Sequence, residues 1–412
     1  MSRLPDDFDP FAPETIENPY AFYAALRREA PVYALERTGY SVVSRYEDCR
    51  AVSLAPERYS SNLVAMVFEG VGGGADLVTI PDDAPRPVDV LAIADDPAHA
   101  RQRKVCNRAF APRRIAGLEP SLRELTRRLL ADARADGDRY DWMPAVAAEL
   151  PTRVICRLVG LPEEDRSELR DWANAGSSLL SGTLTADEAA AAAGQVLELS
   201  AYLGDRFDAA AAAPADDALG DLVRATEDND EHLSRDEVVA ILLQLLSAGA
   251  ESTTALIGSA VRLLAERPEL QSRLRANPEL VPAFVEETVR VESPFQGHFR
   301  VAVEDGEIAA IPVPAGTRLM LLWGSANRDE RVFENADRVD LERANLREHL
   351  GFGIGAHHCI GAALARLEAR VAIEELLAAT SSVSVDDRDA CRHVSSVMIR
   401  RLERLPLAIA ES

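Results

Sequence analysis

Cys359 closes the stretch GFGIGAHHC and stands just ahead of AALARLEARVAIEELL, whose Leu364, Leu367, Val371 and Leu376 recur at helical spacing. A cysteine at a helix N-terminus meets unpaired N–H groups and the positive end of the dipole, so its thiolate is favoured. Such a sulfur is a ligand or a nucleophile. As a nucleophile it has His357 or His358 nearby as a base. Zinc needs about four ligands, and His349, His357, His358 and Cys359 suffice in number, but their spacing resembles no ligand knuckle. GFGIGA also matches the loose fingerprint G-x-G-x-x-A, yet no β run precedes it and too little chain follows for a nucleotide domain. A small core cysteine in a glycine-rich turn is the plainest alternative. Against it, Gly353, Gly355 and Gly361 suggest something broad and flat pressed on the backbone.

A second polar group lies inside an apolar run. In VVAILLQLLSAGAESTTALIGSAVRLL, Glu251 sits beside Gln244, Ser252, Thr253 and Thr254. A charge at membrane depth is costly, so the run reads as a long helix buried in a large protein rather than a membrane span. The cluster then lies in the interior and requires a reason.

FGIGAHHCIG resembles the haem-binding signature of the cytochromes P450, F-G-x-G-x-H-x-C-x-G, at Phe352, Gly353, Gly355, His357, Cys359 and Gly361. The resemblance implies heme b with Cys359 as axial thiolate, Phe352 packed near the sulfur, and glycines that let the backbone approach the porphyrin. AGAEST resembles the family's A-G-x-D/E-T: Ala248 and Gly249 would make room for dioxygen, and Glu251 would be the acid. The alcohol falls on Ser252, where threonine is commoner, so Thr253 is a second candidate. EETVR is similar to E-x-x-R and gives Glu287 and Arg290; their third partner would be Arg338 in ENADRVD. DDPAHARQRKVCNRAFAPRRI resembles the propionate-binding helix and nominates His99 and Arg103, with Arg300 and His357 joining them.

By the same resemblance the chain is one catalytic domain, residues 1–412, with an N-terminal arm to about residue 18. It would be a monooxygenase that hydroxylates or epoxidises a small hydrophobic substrate with O2. Electrons would come from a ferredoxin and an NAD(P)H-dependent ferredoxin reductase, or an equivalent flavin donor. A haem-thiolate enzyme that couples, dehydrates or isomerises, and a haem-binding sensor or carrier, are the alternatives. Substrate choice is expected from residues 62–92, 175–205, the inner face near Ala248, the strand after Arg290 and the turn SSVM; Leu63, Val64, Met66, Val67 and Phe68 in the first of these are apolar, and His298 could meet a polar group.

These residues need a scaffold. APVYALERTGYSVVSRY reads as a hairpin about Thr38-Gly39, and VAVEDGEIAAIPVPAGTRLMLLWGSA as strands turning at Asp305-Gly306 and Ala315-Gly316. Helical spacing covers roughly 97–110, 118–135, 143–158, 163–180, 187–207, 235–266 and 278–291. The fold is therefore mainly α with minor β. VAMVFEGVGGGADLVTIPDDAPRPVDVLAI reads as a loop covering a pocket. On the helix near 97–110, His99 and Arg103 share one face, while Arg101, Lys104 and Arg108 cluster on the other and would dock an acidic electron donor.

Composition narrows the function classes. The formal charge of −23 disfavours a nucleic-acid partner. The five cysteines form no C-x-x-C pair, which fits a reducing cytoplasm rather than a disulfide framework. The first twenty residues contain no apolar h-region, so no signal or membrane anchor is expected.

Overall fold

The computed structural model describes residues 9–36, 38–62, 65–69, 75–79, 88–135, 137–227 and 232–411. The fold is built on the helix Arg235–Ala265, 31 residues long. Ser234 starts it: its hydroxyl accepts from Glu237 N–H while the Glu237 carboxylate accepts from Ser234 N–H, a capping box. Apolar residues surround most of its length, and it packs against helices Glu149–Val159, Arg166–Ser178, Ala186–Ala212 and Ala362–Ala379. It is long and apolar enough to cross a membrane by length and composition, but these packed neighbours account for its apolar faces.

A five-stranded sheet flanks this helical core. Val32–Leu35 and Tyr40–Val43 form the expected hairpin. Arg318–Leu322 pairs parallel to Tyr40–Val43 and antiparallel to Gly297–Ala302, with Tyr59–Ser60 at the edge. Thr380–Val385, Pro406–Glu411 and Arg139–Asp141 make a second sheet.

One expectation fails here. The glycine-rich stretch read as a loop contains an antiparallel hairpin, Ala65–Glu69 with Ala75–Thr79, in which Val67 faces Leu77 and Met66 faces Val78. Two short β-rich runs around a glycine cluster carried that signal. Leu63 and Val64 lie outside the described residues.

The expected arginine triad also changes membership. Glu287 and Arg290 are fully buried and pair twice, at 2.6 and 2.9 Å. Their third partner is Arg343, whose Nε lies 3.0 Å from Glu287 Oε1. Arg338 does not join: its side chain is exposed, and its backbone carbonyl accepts from Arg290 at 2.8 Å. The segment between them is a run of turns, where spacing does not decide which arginine faces inward.

Candidate active site around Cys359

The loop before the helix Ala362–Ala379 is fixed by its own backbone. Cys359 N–H donates to the Phe352 carbonyl at 2.8 Å, and His358 N–H to that of Gly355 at 3.1 Å. Gly353 and Gly355 sit at φ +66° and +73°, where side chains are strained. Their reason is thus backbone geometry, beside the expected approach of a flat group. Gly361 leads into the helix, and a Cβ there would lie 3.9 Å from Cys359 Sγ.

Cys359 is the exposed cysteine among the five; Cys49, Cys106 and Cys156 are buried and Cys391 is intermediate. Protein nevertheless surrounds its sulfur, as on the floor of a cleft. Burial pushes the thiol's pKa up, while the N–H of Gly361, the charges of Arg103 and Arg366, and the N–H of Ala362 draw it down. The two amides at the helix start therefore aim at the sulfur, as the sequence position implies.

Basic side chains from three segments converge beside it. His99 stacks on His357 with ring centroids 4.1 Å apart. Arg103 donates to the His358 carbonyl at 2.8 Å. Arg300 donates to the Phe299 carbonyl at 2.7 Å and to His298 Nδ1 at 3.0 Å. Burial, then Arg300, His99, His298 and Arg103, lowers the His357 pKa to about 3. Burial lowers Arg300 to about 10 despite the charge of Asp95. Among the described residues no carboxylate lies within 4.0 Å of Arg103, Arg300 or His357; His99 has Asp96 at 3.5 Å. Such a cluster is an unmet demand for negative charge and fits a ligand with carboxylates.

His298, considered as a contact for a polar group, uses Nδ1 to accept from Phe299 N–H and Arg300. Two partners escaped sequence reasoning. Ser61 Oγ lies 3.1 Å from His357 Nε2, and Asp95 holds Ser60 and Ser61 in place at 2.5 and 2.8 Å. No local pattern marks a contact 296 residues apart.

On the long helix, Ala248 is exposed although it lies mid-helix, so it borders open space rather than a packed neighbour; Ser252, one turn on, is partly exposed on the same stripe. Ser252 Oγ–H donates to the Ala248 carbonyl at 2.7 Å. Thr253 is buried on the side turned from Ala248. Gly249 also points elsewhere: a Cβ there would press on Ile155 at 3.3 Å, so its small size serves helix packing. Glu251 is buried, with Arg401 Nε 3.4 Å from Oε1 and no partner for Oε2.

The basic patch expected opposite His99 is smaller than its sequence suggests. Arg101 turns onto the long helix, 2.5 Å from Glu237 Oε1, and also donates to the His232 carbonyl. It is committed to internal contacts.

Comparison with known proteins locates this arrangement. The family model described as Cytochrome P450 matches residues 211–392. Cytochrome P450 144 of Mycobacterium tuberculosis is 40% identical over 399 residues, covering 97% of this chain and 91% of the relative. Mycinamicin IV hydroxylase/epoxidase of Micromonospora griseorubida is 39% identical, covering 82% of this chain and 81% of that one. The solved structure of cytochrome P450 CREJ in complex with (4-ethylphenyl) dihydrogen phosphate superposes with a TM-score of 0.89 at 31% identity, over 98% of this chain and 99% of that one.

Proposed function

The chain belongs to the cytochrome P450 family and is a haem-thiolate monooxygenase, and from that premise we propose that it hydroxylates or epoxidises a small, mainly hydrophobic molecule in the cytoplasm. The reading is carried by one observation: a solvent-reachable thiol shares its cleft with Arg103, Arg300 and His357, which have no carboxylate partner among the described residues. Those residues suit heme b. Cys359 would ligate its iron, and His99, Arg103, Arg300 and His357 would take its propionates. When bound, the haem supplies dioxygen activation, which thiolate ligation favours.

The chain's own part is binding, positioning and proton supply. Ala248 borders open space on the long helix, and Glu251 Oε2, unpartnered, can exchange a proton. Ser252 can turn its hydroxyl from the Ala248 carbonyl toward that space. Four of the five segments expected to choose the substrate meet at an apolar pocket, contributing Met66, Leu180, Phe299 and Val397 beside Leu35 and Tyr40, a lining that does not include Cys359, Ala248 or Ser252. That lining favours an apolar substrate, and a relative named as a hydroxylase/epoxidase supports the reaction type. A ferredoxin and an NAD(P)H-dependent ferredoxin reductase, or an equivalent flavin donor, would supply electrons near the basic helix Ala98–Ala109, which touches the cysteine loop through Arg103.

The carbon monoxide difference spectrum of the reduced protein tests the ligand: a thiolate-type Soret band is expected, and it is lost in Cys359→His. Turnover of apolar compounds under isotopically labelled dioxygen tests the reaction. A product carrying one labelled oxygen supports it, whereas a product without added oxygen replaces it with coupling, dehydration or isomerisation.

A further inference from the structure

Glu286 precedes Glu287 but faces another way, toward the helix that follows Cys359. Its carboxylate accepts from Arg366 Nε at 2.5 Å and Nη2 at 3.1 Å, and His349 Nε2 lies 2.8 Å away. Burial pushes the Glu286 pKa up, but His349 and Arg366 outweigh it and hold it at about 2. The carboxylate is a fixed anion, and it fixes Arg366.

The guanidinium so held lies over Phe352, 4.3 Å from the ring centroid, with the His349 ring 5.8 Å from the same ring. Phe352 in turn accepts the Cys359 N–H. Arg366 is thus clamped against Phe352, whose carbonyl accepts the Cys359 N–H, and it stands in the helix Ala362–Ala379 that opens just after the cysteine.

We propose that Arg366, clamped by Glu286 and His349 across Phe352, is a positioning residue that sets the potential at the Cys359 sulfur and hence the reduction potential of the haem. The proposal rests on the haem-thiolate reading. Reduction adds negative charge to the iron-thiolate unit, so a nearby fixed cation favours the reduced form. A plain helix-to-helix tie would affect stability alone.

The two readings part when opposite members of the ion pair are neutralised. Midpoint potentials are measured spectroelectrochemically on the holoprotein for the unchanged chain, Arg366→Gln, Arg366→Lys and Glu286→Gln, with thermal melting alongside. Arg366→Gln is expected to cut the ferrous-to-ferric ratio at fixed potential by roughly threefold to tenfold, tenfold being about 59 mV for one electron. Arg366→Lys recovers most of that loss. Glu286→Gln keeps an acceptor for Arg366 but removes the opposing charge, so it moves the potential the other way. Potentials that stay fixed, or that fall in both Gln variants, overturn the proposal. Should Arg366→Gln fail to take up haem, the opposed behaviour of Arg366→Lys and Glu286→Gln still decides. Absence of a thiolate-type band in the unchanged protein would fail the underlying reading before any potential is compared.

Discussion

Arg401, near the C-terminus, holds Glu251 of the long helix by one carboxylate oxygen, Nε to Oε1 at 3.4 Å, and leaves Oε2 buried without a partner. One oxygen is held in an ion pair while the other has no hydrogen-bond partner. Glu251→Gln keeps the shape and removes the proposed proton exchange, so turnover should fall by about a hundredfold, the low end for a lost general acid. Substrate-induced spectral shifts should keep their affinity. An equal loss of affinity and rate would show that Glu251 serves binding. Arg401→Gln should lower turnover less, because it releases the acid without removing it.

Ser252 bonds back to the Ala248 carbonyl at 2.7 Å and shares its exposed stripe of the long helix. A hydroxyl there can donate elsewhere only by leaving that carbonyl. Ser252→Ala should therefore raise hydrogen peroxide released per reductant oxidised, while Ser252→Thr lowers it or leaves it unchanged. Thr253→Val, on the buried side, should not alter this ratio. Equal coupling in the unchanged protein, Ser252→Ala and Ser252→Thr would assign the proton to another group.

Arg343 reaches Glu287 with both side chains almost inaccessible, 4% and 0% exposed. Its loss leaves a buried carboxylate short of a partner, a change that typically costs about 3–5 kcal/mol. Arg343→Ala should show that loss in denaturant unfolding. Arg338→Ala, which removes an exposed side chain but keeps the carbonyl accepting from Arg290, should stay within about 0.5 kcal/mol. A reversal of the two would restore Arg338 to the triad.

What the sequence made legible was local. Phe352 to Gly361, Glu287 with Arg290, and Ala248 with Ser252 are neighbours along one loop or one helix, and the contacts that join them are local: Cys359 N–H to the Phe352 carbonyl, Arg290 to Glu287, and Ser252 to the Ala248 carbonyl. Arg401 meets Glu251 across 150 residues and Ser61 meets His357 across 296, distances over which no periodicity speaks. Arg101 looked solvent-facing on its own helix until Glu237 of another helix took it. Gly249 looked like space for a ligand, and Ile155 occupies the space instead. Faces can be read from one element; what covers a face depends on a second.

Glu292 gives a pH test of the buried ion pairs away from the cleft. Burial alone would raise its pKa, but Arg262, Arg400, Arg328 and His393 bring it from 4.5 to about 2, with Arg262 Nη2 at 2.8 Å and Arg400 Nε at 3.5 Å. Between those values the unfolded chain binds a proton that the folded chain does not, so stability falls as pH falls. The contribution is fully present above about pH 4.5, amounts to about 3 kcal/mol, and is lost on descending through about pH 2. Glu292→Gln removes it, and also leaves Arg262 and Arg400 without their carboxylate at every pH. Unfolding free energies of the two proteins should therefore lie furthest apart near pH 7 and draw together below about pH 4.5, without meeting. A gap that stays constant with pH would mean that Glu292 is not held as the anion of this cluster.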